Sequence, residues 1–208
     1  FSEILENKII QDKLPLLIQS ASGIGNLQIR NRATVVGNFV NNAPCADSVP
    51  ALLVYNAKLR IESLKGAREI ALQDFLVKAY KTQIAPDELV TDIQIPLAND
   101  FCGTFYKLGR RQSVAISRIS LAVLAKLSNH KIDEIRIASG AVTPIGKRFT
   151  ELENFARGKI ANKDLFIELA QKIARQTLDV TGLRWSGFHK IPVLQQALYQ
   201  LLLTTIEL

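Results

Sequence analysis

The chain has 208 residues, with 26 Lys and Arg against 19 Asp and Glu, for a net charge of +7. Apolar residues make up 48% and charged residues 22%, the balance of a globular core and not of a disordered chain. Its longest apolar runs, such as Ala51–Tyr55, are about five residues, far short of the roughly 20 that cross a bilayer.

In chain order, Ser2 caps a short helical turn through Ile4 and Leu5. Pro15 suits the first turn of a helix that stops at Gly23. Residues 26–42 are rich in Asn and Gly with no sustained period, which predicts an irregular segment. Asp47 is placed to cap a helix over Val49–Tyr55, with Pro50 in its first turn. Strands are expected at Lys58–Ser63 and Arg68–Ala71, joined by a turn at Lys65-Gly66. Asp74 opens a helical turn at Phe75-Leu76-Val77. Leu89, Thr91, Ile93 and Ile95 alternate in a half-buried strand that ends at Pro96.

Leu97–Asp100 reads as a boundary, giving units 1–97 and 101–208. A strand follows at Thr104–Leu108. Ile119 to Leu127 alternate, turn at Asn129-His130 and return through Ile132, Ile135 and Ile137. Thr150-Glu151-Leu152-Glu153 has the form of a capping box, and Gly158 closes that helix. Asn162 caps a helix with Leu165, Phe166, Leu169, Ala170, Ile173 and Ala174 on one face. Pro192 begins the last helix, with Leu194, Ala197, Leu198, Leu201 and Leu202 inward. Trp185 is expected as a packing anchor between the tail helices and the hairpin. Strands followed by segregated helices predict an α+β fold.

The two cysteines, Cys45 and Cys102, stand alone in no metal-ligand spacing and fit a reducing compartment, most simply the cytoplasm. His130 and His189 are far apart, without a nearby nucleophile, so no catalytic or metal-ligating residue is assigned. The Lys and Arg are scattered, which argues against nucleic acid. With no methionine, the chain does not begin at its own initiator and reads as part of a longer polypeptide.

One stretch carries chemistry, Gln28 to Asp47. Gly37 permits close backbone approach. Thr34, Asn38 and Asn41 around it offer hydroxyl and amide groups to phosphate or ribityl oxygens. Taken as composition alone, the stretch reads first as a surface loop built on Gly and Asn.

The order Gln28-Ile29-Arg30-Asn31, Thr34-x-x-Gly37-Asn38, Pro44-x-x-Asp47 resembles the second flavin loop of the FAD-binding medium subunit of the molybdenum hydroxylases, the xanthine dehydrogenase and carbon monoxide dehydrogenase family. The likeness continues through Gly66-x-Arg68-x-Ile70, Pro86-Asp87-Glu88-Leu89-Val90, Tyr106-Lys107-x-x-Arg110-Arg111, Gly140-Ala141-Val142-x-Pro144 and Arg184-Trp185-Ser186. It implies the second lobe of a two-lobed FAD-binding domain, followed by a small antiparallel sheet packed with helices. Thr34, Val35, Val36, Gly37, Asn38 and Asn41 would line the FAD pyrophosphate and ribityl side, with Gly25 touching the cofactor. Asp47 would bond its sugar-like part, Val90 would pack on a ring, and Lys107 would stand near the isoalloxazine.

The implied role is an electron-transfer subunit. It takes electrons from the iron–sulfur clusters of a small subunit, through FAD, to NAD or another acceptor, beside a molybdopterin-binding large subunit. Val36 stands where the family has a second Gly, and the family's first glycine-rich loop would precede this chain. The alternative is a flavin-free scaffold of the same fold.

Overall fold

The computed structural model describes residues 1–206, so the last two residues of the expected 101–208 unit, Glu207 and Leu208, lie outside it. Every element in the first 54 residues is a helix: α1 Ser2–Glu6, α2 Lys8–Lys13, α3 Pro15–Ser22, α4 Leu27–Arg32, α5 Val35–Val40 and α6 Ser48–Val54. Pro15 sits at the start of α3 and Gly23 at its end, as the residues predict. Residues 26–42 are not irregular. The Asn26 side chain accepts from the Ile29 N–H at 2.9 Å and the Thr34 hydroxyl from the Gly37 N–H at 2.9 Å. The polar residues read as turn formers are therefore the N-caps of α4 and α5. Ser2 caps nothing; its hydroxyl bonds Asn31 of α4 instead.

Next come β1 Lys58–Ser63, β2 Gly66–Ala71, α7 Leu72–Phe75, β3 Leu76–Lys78, β4 Lys81–Thr82 and β5 Leu89–Gln94. The helical turn begins at Leu72, ahead of Asp74, and Leu76 already belongs to a strand. The first sheet has the order β2-β1-β5, all antiparallel, with Leu59 opposite Ile70 on one side and Ile93 on the other.

Arg68 of β2 closes this sheet from outside by gripping Glu88 through two nitrogens at 2.7 and 2.9 Å. That grip, with the Ala85 N–H, holds the Glu88 carboxyl down at about 2, from an ordinary 4.5. Its contribution to stability is therefore fully present above about pH 4.5 and is lost as the pH falls toward about 2. A carbon-13 titration of the side chain should show this low midpoint, and Arg68→Ala should raise it toward the ordinary range, with the Ala85 N–H still holding it somewhat below.

The second sheet has the order β6-β7-β8-β9, from Cys102–Leu108, Ile119–Ser128, Lys131–Gly140 and Lys147–Arg148. Asn129 and His130 make the β7–β8 turn, both with positive φ. The alternation along β7 predicts one wet face, yet Ile119 to Ala125 are all buried. Ile119, Leu121, Val123 and Ala125 face a cluster with α8 Thr150–Ala156, α9 Lys163–Thr181 and α10 Gly187–Ile206. Ala122, Leu124 and Ala138 on the other face join the core of the N-terminal helices and first sheet. The sheet is a middle layer, since a helix face packs on each side.

Three tail details differ from expectation. The residue at the N-cap of α8 is Phe149, and Thr150 makes no cap bond, because Glu153 is drawn to the Ile137 N–H and Arg148. α10 begins at Gly187, and Pro192 lies exposed in its second turn, where one missing backbone bond is tolerable. Trp185 anchors nothing in the core: it is 84% exposed. The Asn162 cap and the inward stripe of α9 are as expected.

Candidate functional site

α4, α5 and the loop into α6 bound a groove of about 450 Å³, within the roughly 300–1,000 Å³ of ligand pockets. Thr34, Gly37, Asn38 and Asn41, spaced one helical turn apart or less, share its wall with Ala43 and Cys45. Gly37 is exposed and helical; a Cβ there would meet only the Thr34 hydroxyl, at 3.0 Å, and would otherwise project into open space. Val36, in contrast, lies off the groove against the helical core, and Val35 is buried in that core. Gly37 sits within helix α5, and Val36 does not fill the groove beside it.

Several expected contacts are already engaged within the chain. The Asn38 carbonyl oxygen accepts from the Ser48 hydroxyl at 2.7 Å and the Ser48 N–H at 3.2 Å, which fixes α5 against α6. Gly25 has φ +50°, and a Cβ would come within 2.8 Å of Ile29. Glycine is needed there to turn the chain into the Asn26 cap.

Asp47 does not cap α6, because its backbone is already helical and its carboxylate points elsewhere. It accepts from Lys107 Nζ at 2.6 Å and from the Ser117 hydroxyl, with only 7% of its surface exposed. Lys107, on β6, also donates to the Gly23 carbonyl at 2.8 Å. One lysine thus ties the end of α3, the groove loop and the second sheet. Val90 stands apart on β5, opposite Ile61 of β1.

Two arginines escaped the sequence reading. Arg30 donates to the Ile24 carbonyl at 2.9 Å and holds the Gly25 turn. Arg32 lines the groove and has no carboxylate partner among the described residues. Their place within Gln28–Arg32, directly before Thr34, was the available signal. Cys45 is half-buried in the groove wall.

His130 and His189 are both exposed. No group of three or more His, Cys, Asp or Glu among the described residues is arranged for a metal. A larger groove of about 550 Å³ between β6 and α10 carries no charged side chain among the described residues and does not suit a diphosphate.

Residues 1–98 match the FAD binding domain in molybdopterin dehydrogenase, and residues 104–190 match the CO dehydrogenase flavoprotein C-terminal domain. The glyceraldehyde dehydrogenase medium chain of Sulfolobus acidocaldarius is 30% identical over 94% of this chain and 69% of its own length. The chain belongs to the medium, FAD-binding subunits of the molybdenum hydroxylase family.

The xanthine dehydrogenase FAD-binding subunit of Escherichia coli is 29% identical over 94% of this chain and 68% of its own. A carbon monoxide dehydrogenase of Hydrogenophaga pseudoflava shares the fold, with a TM-score of 0.90 at 23% identity. That match covers 98% of this chain and 71% of that one. As a family member the chain is an oxidoreductase subunit whose cofactor is FAD. The groove fits that cofactor: its exposed Gly37, small polar wall and unpaired Arg32 suit a diphosphate and a polyhydroxyl chain.

Proposed function

We propose that the α4–α5 groove holds the pyrophosphate and ribityl part of FAD, and that this chain is the electron-transfer subunit of a cytoplasmic complex. Its partners would be a molybdopterin-binding large subunit and an iron–sulfur small subunit, with NAD+ or another acceptor receiving the electrons. The groove carries the reading, because Thr34, Gly37 and Asn41 converge there beside an unpaired Arg32.

In this assignment Gly37 admits the diphosphate against the helix backbone. Thr34 and Asn41 direct hydrogen bonds at it, and Arg32 offsets its charge. Asp47 and Lys107 act as positioning residues, since their ion pair holds the loop that forms the far wall. Asn38 shares this task through Ser48. Gly25 shapes the turn before α4, and Val35, Val36 and Val90 pack the elements behind it. Bound flavin supplies the exchange between one-electron and two-electron transfer. No helix among the described residues is long and apolar enough to cross a membrane.

The reading is tested with Gly37→Val, measured as FAD bound per chain and as thermal midpoint. Helix propensity favours Val over Gly, so the midpoint should stay within a few degrees while FAD affinity falls tenfold or more. Arg32→Gln should weaken FAD by about tenfold with no loss of fold. Unchanged flavin content in both variants would remove the groove from consideration.

A further inference from the structure

Behind the flavin groove lies a second, smaller cavity of about 110 Å³. It is bounded by the loop after β8, the C-terminal end of α9 and the first turn of α10. Pro44, which lies between the groove residues Ala43 and Cys45, forms one wall, yet the two cavities share no lining residue.

Its polar side chains are cationic and hydroxylic, set among the apolar Val142, Leu178 and Ile191. Lys190 Nζ donates to the Ala141 carbonyl at 2.9 Å, which leaves two of its three hydrogens unassigned. Burial, and then the charges of Arg118 and Arg184, push the Lys190 ammonium below its ordinary proton affinity. None of these three cations makes an ion pair with a carboxylate among the described residues. Thr177, on the inward side of α9, lines the same cavity. It is 1% exposed, and its hydroxyl has no hydrogen-bond partner among the described residues. Ser186 and Gly187, at the positive end of the 20-residue helix α10, complete the wall.

Lys190, half-buried without a carboxylate, and the unsatisfied buried Thr177 hydroxyl each cost free energy, and one anion, reached also by the exposed Arg184, would offset both. We propose that this cavity binds a tetrahedral oxyanion, either free phosphate or the terminal phosphoryl group of a nucleotide, held by Lys190, Arg184 and the Thr177 hydroxyl. Several water volumes of about 30 Å³ each would fill it, so a single phosphoryl group enters and a nucleoside stays outside. The site is separate from the flavin groove and does not rest on that assignment.

Equilibrium dialysis of the full chain with radiolabelled inorganic phosphate, at fixed ionic strength and with or without added FAD, tests this. About one phosphate should bind per chain, unaffected by FAD. Lys190→Met should weaken binding by about ten- to a hundredfold. Thr177→Val should weaken it by about tenfold, with a thermal midpoint no lower than the parent's, because the hydroxyl it removes has no partner among the described residues. Competition by ADP would assign the terminal phosphoryl group of a nucleotide; indifference to ADP would assign free phosphate. Absence of binding to the parent chain would overturn the proposal. So would equal affinity in Lys190→Met, or displacement of phosphate by FAD.

Discussion

Lys107→Met should destabilise the protein by about 3–5 kcal/mol, the usual cost of removing one partner from a buried ion pair. The side chains of Lys107 and Asp47 are only 14% and 10% exposed, and they meet at 2.6 Å. Without the lysine, Asp47 would keep only the Ser117 hydroxyl, and the Gly23 carbonyl would lose its donor. Urea unfolding measures the loss. Adding Asp47→Asn should recover part of it, since a neutral amide tolerates that environment better than a lone carboxylate. Flavin affinity should fall in the single variant, because the groove loop is then untethered from β6. A loss below about 1 kcal/mol, or no recovery in the double variant, would show that the pair does not hold this loop.

Glu153→Ala should cost a similar 3–5 kcal/mol, with no local effect on the flavin groove. Glu153 is 5% exposed; its carboxylate takes the Ile137 N–H at 2.9 Å and the Arg148 Nε at 3.0 Å. Truncation strands a buried backbone donor on β8 and leaves the Arg148 guanidinium, 14% exposed, without its carboxylate. Glu153→Gln can still accept from Ile137, so it should lose distinctly less. Thermal unfolding of the two variants separates them, and equal losses would mean that the backbone bond adds nothing.

The corrections share a cause. Asn26 lay in a stretch read as irregular and Thr34 was read as a ligand group, yet both are helix caps, because the same short polar side chains serve several purposes and local sequence does not choose between them. Asp47 and Glu153 looked like helix-end groups, yet each is taken by a cation and a second donor packed against it. A buried carboxylate follows the strongest available donor, and that donor is set by how the elements stack. Lys107 and Ser117 lie 60 and 70 residues from Asp47, beyond the reach of any local pattern. Trp185 fails as an anchor for the opposite reason: a large apolar side chain has no say over whether a neighbouring layer reaches it.

Residue order alone carried the α+β class, the β7–β8 hairpin, the inward stripe of α9 and the family itself. Each of these depends on short-range periodicity, turn chemistry or a recurring order of motifs. The groove was half legible. Thr34, Gly37, Asn38 and Asn41 were grouped by motif order, whereas their place on one short helix and its two caps emerged only on folding. Once the layers had packed, Lys107 became a tether, and among the described residues Arg32 stands without a carboxylate partner and Lys190 in a cluster without one. Charge has no periodicity of its own; its role depends on what is brought within a few ångströms, and distant segments set that distance only on folding.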